Sequence, residues 1–120
     1  MGRDTIHSIV EFEVQGKQRG FRNDSYAQLI ACRKDGLSLT ETLANVRAGD
    51  TLSFMHLMYG LAVSYQESKS RVIDFTANDM EDWLKEIGPE KMREYITAVF
   101  KTPEQPKNSE SPKETGVTVP

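Results

Sequence analysis

The spacing of apolar residues changes early in the chain. From Ile9 to Val14 it is close to two: Ile9, Val10, Phe12 and Val14 are apolar, and Glu11 and Glu13 are polar. Period two predicts a half-buried strand. Gln15-Gly16-Lys17 follows, and Gly16 can take the positive φ of a tight turn. The next run, Lys17 to Arg22, is polar apart from Phe21, which predicts a short and partly exposed second strand. A lone hairpin is marginal in water, so this one must pack on something else.

Beyond Arg22 the period becomes helical. Asn23-Asp24-Ser25 is a cluster of N-capping residues, and Tyr26, Leu29 and Ile30 mark one face of a first helix, with Ala27, Ala31 and Cys32 beside them. Gly36 is placed to end it, after Arg33 and Lys34, whose charge suits a helix C-terminus. Ser38 and Glu41 have capping-box spacing and open a second, shorter helix with Leu39, Leu43 and Val46 on one face. Gly49-Asp50 ends that helix.

The most apolar window is LSFMHLMYGLAVSY, Leu52 to Tyr65. It predicts a central helix from about Ser53, as N-cap, to Gln66. Its main stripe is Phe54, Leu57, Met58, Leu61 and Tyr65. A second stripe holds Met55, Tyr59 and Ala62, and a third, small or polar, holds His56, Gly60 and Ser64. A surface helix of a small domain needs one apolar stripe. The surplus one, Met55 with Tyr59 and Ala62, is therefore the candidate protein-interaction surface. Gly60, between His56 and Ser64, is a place where another helix or a backbone could approach closely.

Glu67 to Arg71 is a charged loop, and Val72, Ile73 and Phe75 form a short apolar segment, extended or irregular. Thr76 then caps a helix carrying Met80, Trp83, Leu84 and Ile87, and Gly88 ends it. Pro89 opens the last helix at its first position, with Met92, Tyr95, Ile96, Val99 and Phe100 as its stripe. After Thr102 the segment PEQPKNSESPKETGVTVP holds four of the five prolines. Too few apolar side chains remain there to offset the entropy of ordering, so it is expected to be a disordered tail. The predicted fold is mainly α with a small N-terminal β-hairpin (α+β), a compact bundle of about five helices over residues 1–102, followed by a polar tail over 103–120.

Composition narrows the function. The net charge is −3 with acids and bases interspersed, which argues against a nucleic-acid partner gripped through its phosphates. No segment approaches the roughly 18 apolar residues of a membrane span, and no N-terminal apolar run suggests a signal peptide. The start Met-Gly-Arg-Asp-Thr-Ile lacks the Ser or Thr of a myristoylation site, with Ile6 in its place. A cytoplasmic location is expected.

Catalytic chemistry finds no constellation. His7 and His56 are far apart, with no Cys or carboxylate at ligand spacing, so no metal or cofactor is expected, and His56 reads as a helix-surface residue beside Gly60. Cys32, the single cysteine, reads as a buried helix thiol. Glu81, Asp82 and Glu86 form a solvated helix face with Lys85, and Trp83 belongs to the core. Gly16 and Gly20 make no phosphate loop. The expectation is a binding protein and not an enzyme.

The order of elements, and the phrases VEFEVQGKQRGFR, QLIACRKDGLSLTETLANV, LSFMHLMYGLAVS and DFTANDMEDWLKEIGPEKMREYITAVF, resemble the tail assembly chaperones of long-tailed (siphovirus-type) bacteriophages and prophages. The likeness spans roughly residues 8 to 101 and rests on element order rather than one motif. It implies a protein that binds the helix-rich tape measure protein, keeps it soluble in the host cytoplasm, is displaced as tube subunits polymerise, and is absent from the mature virion. It also implies that a longer form made by ribosomal frameshifting can accompany the short one.

A chaperone of long apolar helices needs adaptable apolar grooves, and methionine adapts well. Met58, Met80 and Met92, in register with their main stripes, read as core filler; Met55, off register, is open to either reading. The Met55, Tyr59 and Ala62 stripe would serve tape measure helices or a second copy of the chain in a homo-oligomer. The alternative is a small cytoplasmic adaptor or regulator that binds a folded partner and has no connection with phage.

Overall fold

The hairpin is set by its turn. Gln15 and Gly16 have φ of 56° and 74°, both left-handed, so two residues reverse the chain with the twist that antiparallel strands require. Gly16 takes this without strain, and the Gln15 amide is held there by donating to the Glu86 carboxylate at 3.0 and 3.2 Å. A computed structural model describes residues 8–101; the expected tail and His7 lie outside them. Strand β1 (Ile9–Val14) pairs antiparallel with β2 (Lys17–Arg22), Val14 opposite Lys17 and Ile9 opposite Arg22.

Five helices follow: α1 (Ser25–Asp35), α2 (Leu39–Arg47), α3 (Thr51–Ser68), α4 (Asp79–Ile87) and α5 (Pro89–Phe100). The mainly helical α+β bundle with an N-terminal hairpin is therefore as the pattern predicts. Most boundaries are fixed by local chemistry. Asp24 caps α1 by accepting from the Ala27 amide at 2.8 Å, and Gly36 closes it at φ 75°. Ser38 and Glu41 form both bonds of the capping box on α2. Pro89 occupies the first turn of α5.

Two boundaries differ. Asp50, not Ser53, caps α3, accepting from the Ser53 amide at 3.1 Å, so the helix begins at Thr51 and frees the Ser53 hydroxyl for another partner. Helix α4 begins at Asp79 after a turn, where Asp79 reaches back to the Thr76 amide at 2.8 Å.

Strand β2 is also more enclosed than its polar sequence suggests, with Arg19, Gly20 and Phe21 buried. Gly20 is buried because the Tyr65 ring lies against it; a Cβ there would fall 2.6 Å from that ring. The Tyr65 hydroxyl donates to Glu11, the register partner of Gly20, at 2.6 Å. Arg19 is tolerated inside because Asp74 lies 2.7 Å from its guanidinium, which also rests over Phe75 and Trp83 at 5.1 and 5.5 Å. The ion pair ties the irregular segment after α3 to the hairpin. Arg19, and after it Lys17, hold the Asp74 carboxyl far below the usual carboxylate range against the opposing effect of burial.

The core lies between the hairpin and the helices. Phe12 stacks on Tyr95 with ring centroids 5.0 Å apart and meets Phe21 and Trp83 edge-on. Met58, Met80, Met92 and Trp83 are fully enclosed, as their register predicts. The Ser8 hydroxyl donates to the Lys101 carbonyl and brings the two ends of the described chain together.

Candidate functional site

Helix α1 packs antiparallel along α3 through a seam of small and polar residues. Asp24 at the N-cap of α1 and Ala27, Ala31 and Asp35 within it have spacings of three, four and four; Ser53, His56, Gly60 and Ser64 on α3 have the same spacings. Eleven positions make close to three turns, so both sets stay on one face and meet end to end. At one end Ser64 donates to both Asp24 oxygens, at 2.9 and 2.8 Å. In the middle Gly60 lies against the backbone of Ala27 and Ala31. At the other end Asp35 accepts from Ser53 at 2.9 Å and from Thr42 of α2 at 3.0 Å, and its Oδ1 lies 2.7 Å from His56 Nδ1.

His56 is therefore not a free surface residue. Its ring is 14% exposed and bound to a carboxylate that is 5% exposed. Burial alone would push the Asp35 carboxyl up; the bonds from His56, Ser53 and Thr42, with the charge of His56, outweigh it and hold the pKa below the usual value. All three donors converge on Asp35. The Ser53 hydroxyl is committed to that carboxylate rather than to the imidazole, so the cluster is not laid out as a nucleophile and its base. Its visible work is to join the ends of α1, α2 and α3.

The seam has a consequence for the opposite side of α1. Close approach through Ala27 and Ala31 leaves no room for large side chains between the helices, so Tyr26 and Leu29 point outward. They are 42% and 46% exposed, and Leu37 is 37% exposed. The face marked by Tyr26, Leu29 and Ile30 is thus the outer face of α1, with only Ile30 half-buried. Cys32, expected inside, is also half-buried. Helix α1 consequently presents an apolar outer stripe, Tyr26, Leu29 and Ile30, bordered by Arg33, with Leu37 exposed just beyond its Gly36 cap.

The surface expected on α3 is redistributed by the same geometry. Ala62 is 1% exposed and offers nothing to a partner, because the second stripe turns into the core as α3 passes beneath its neighbours. Met55 and Tyr59 are half-buried. Tyr59 packs edge-on against Phe75 at 6.0 Å, and the Lys34 ammonium lies 5.2 Å over its ring. Tyr59 also joins Ile30, Val63 and Ile73 in lining a groove of about 550 Å³ between α1, α3 and the segment after α3. Tyr26 and Glu67 close one end of it with a 3.0 Å hydrogen bond, which raises the Tyr26 phenol above its usual pKa. Arg33 and Lys34 line the other end.

A second apolar groove, of about 310 Å³, lies between α2 and α5 and is lined by Leu43, Val46, Ile96 and Phe100. Among the described residues no group of three or more His, Cys, Asp or Glu side chains stands close enough to hold a metal ion, and no helix is long and apolar enough to cross a membrane. No family model matches the chain, and no curated protein or solved structure matches it.

Proposed function

We propose that this protein is a phage tail assembly chaperone that binds helices of the tape measure protein and keeps them soluble in the host cytoplasm until tube subunits displace it. The resemblance supplies the client. The observation that supports a helix-binding role is the outer stripe of α1 beside the Tyr59 groove. An amphipathic helix docks through apolar anchors at i, i+3, i+4 and i+7, and a long apolar stripe bordered by a groove is the complement of such a row. The half-buried Tyr59 and Met55 extend that surface along α3, with Met55 adding an adaptable side chain.

Replacing Tyr26 and Leu29 together with Gln tests this. Both are exposed and Gln suits a helix, so the fold should melt within a degree or two of the parent. Covering the exposed halves of the two side chains is worth about 1 kcal/mol each, so the client should be held about thirtyfold more weakly. Co-expression with a tape measure fragment reads this as client moving from the soluble to the insoluble fraction. A folded variant that still keeps the fragment soluble would contradict this site. A parent protein that never does so would contradict the function and favour an adaptor with a folded partner.

A further inference from the structure

We infer that the helix docked on α1 carries carboxylates on the flank that faces Arg33 and Lys34. The inference rests on the helix-binding reading above and adds the partner's charge. The chain as a whole is acidic, with a net charge of −3, yet the end of the groove beside Tyr59 is lined by two bases. The neighbouring acid of α1, Asp35, is turned away into its buried cluster with Ser53, Thr42 and His56 and does not neutralise them on the surface. The acid that does line the groove, Glu67, is at the far end with Tyr26. Arg33 lies seven positions after Tyr26 on α1, about 11 Å along the axis, so the bases act on their own end of a docked helix.

A second copy of the chain fits this face poorly. Two α1 helices related by a two-fold axis between Ala31 and Cys32, midway from Tyr26 to Leu37, would place the two Arg33 about 4.5 Å and the two Lys34 about 7.5 Å apart along the axis. Like charges so placed oppose the contact. A helix with Glu or Asp beside its apolar row gains from the same bases, by a modest, salt-sensitive amount for each pair.

The test uses two synthetic amphipathic helical peptides with one apolar row, flanked by Glu in the first and by Lys in the second, titrated into the full chain by calorimetry at low and at physiological salt. The parent should bind the Glu-flanked peptide three- to tenfold more tightly, and salt should narrow the gap. The double substitution Arg33→Glu and Lys34→Glu, both at exposed positions, should reverse the preference. Equal binding of the two peptides, abolished for both by Tyr26→Gln with Leu29→Gln, would overturn the acidic-partner inference and leave helix docking intact. Binding of neither peptide would overturn both. Self-association of the parent that is lost in the Tyr26 and Leu29 variant would overturn the inference in favour of a second copy.

Discussion

Gly60→Ala is expected to lower the melting temperature by about 10 °C, although alanine is the better helix former. In an open helix the change would stabilise by about 1 kcal/mol. Here the new Cβ would lie 2.9 Å from the Ala31 amide nitrogen, 3.1 Å from the Ala31 Cβ and closest of all to the Ala27 carbonyl oxygen. Two of those three neighbours are backbone, so relief requires α1 to move as a body, which would strain the Asp24–Ser64 and Asp35–Ser53 bonds at both ends of the seam. Overpacking of this kind costs about 3 kcal/mol, at the upper end of the usual range, and the regained propensity leaves a net loss of about 2 kcal/mol. In a domain of this size each kcal/mol shifts the midpoint by roughly 4–8 °C. Gly60→Leu should prevent folding. Thermal melts check both; an unchanged or higher midpoint for Gly60→Ala would mean that the helices are not in contact there.

The second large effect belongs to Asp35. Asp35→Ala removes the acceptor shared by Ser53, Thr42 and His56 and leaves enclosed donors without it. A buried polar group left unpaired costs about 1–3 kcal/mol, and reorientation of the hydroxyls recovers part of the total, so the expected loss is about 3 kcal/mol at pH 7. The pH dependence has a definite sign. The folded pKa of Asp35 lies below the unfolded value of about 3.9, so its stabilisation is fully present above that value and is lost as pH falls through the folded pKa. Asp74, held down by Arg19 and Lys17, acts in the same direction. Urea unfolding from pH 7 down to pH 2 should therefore show the parent losing stability below about pH 4, and Asp35→Ala starting lower and falling less steeply. Parallel curves for the two proteins would show that Asp35 titrates alike in both states.

The sequence carries the fold in its local signals. Period two, the Gly16 turn, the capping box at Ser38, the glycine at 36 and the proline at 89 each act within a few residues, and each appears in the structure where the pattern puts it. The orientation of α1 was harder to read. Assigning the largest apolar residues to the inside fails when the partner helix carries a glycine, because the closest approach then selects alanine. The signal was present as two stripes of identical spacing, Asp24-Ala27-Ala31-Asp35 and Ser53-His56-Gly60-Ser64, and neither looks like a core by hydrophobicity. Asp35 as the partner of His56 carries no local signal either, because twenty-one positions separate them in sequence. The second stripe of α3 likewise reads as exposed in the sequence, yet Ala62 is enclosed.

The most direct test of the docking surface is hydroxyl-radical footprinting of the full chain, alone and in complex with a co-purified tape measure fragment. Binding through α1 and the adjoining groove predicts that oxidation of Tyr26 and Leu29 falls sharply in the complex, that of Tyr59 falls less because it is already half-covered, and that of Leu43 and Phe100 is unchanged. Protection of Leu43 and Phe100 with Tyr26 and Leu29 still fully reactive would place the client in the groove between α2 and α5 and contradict this account.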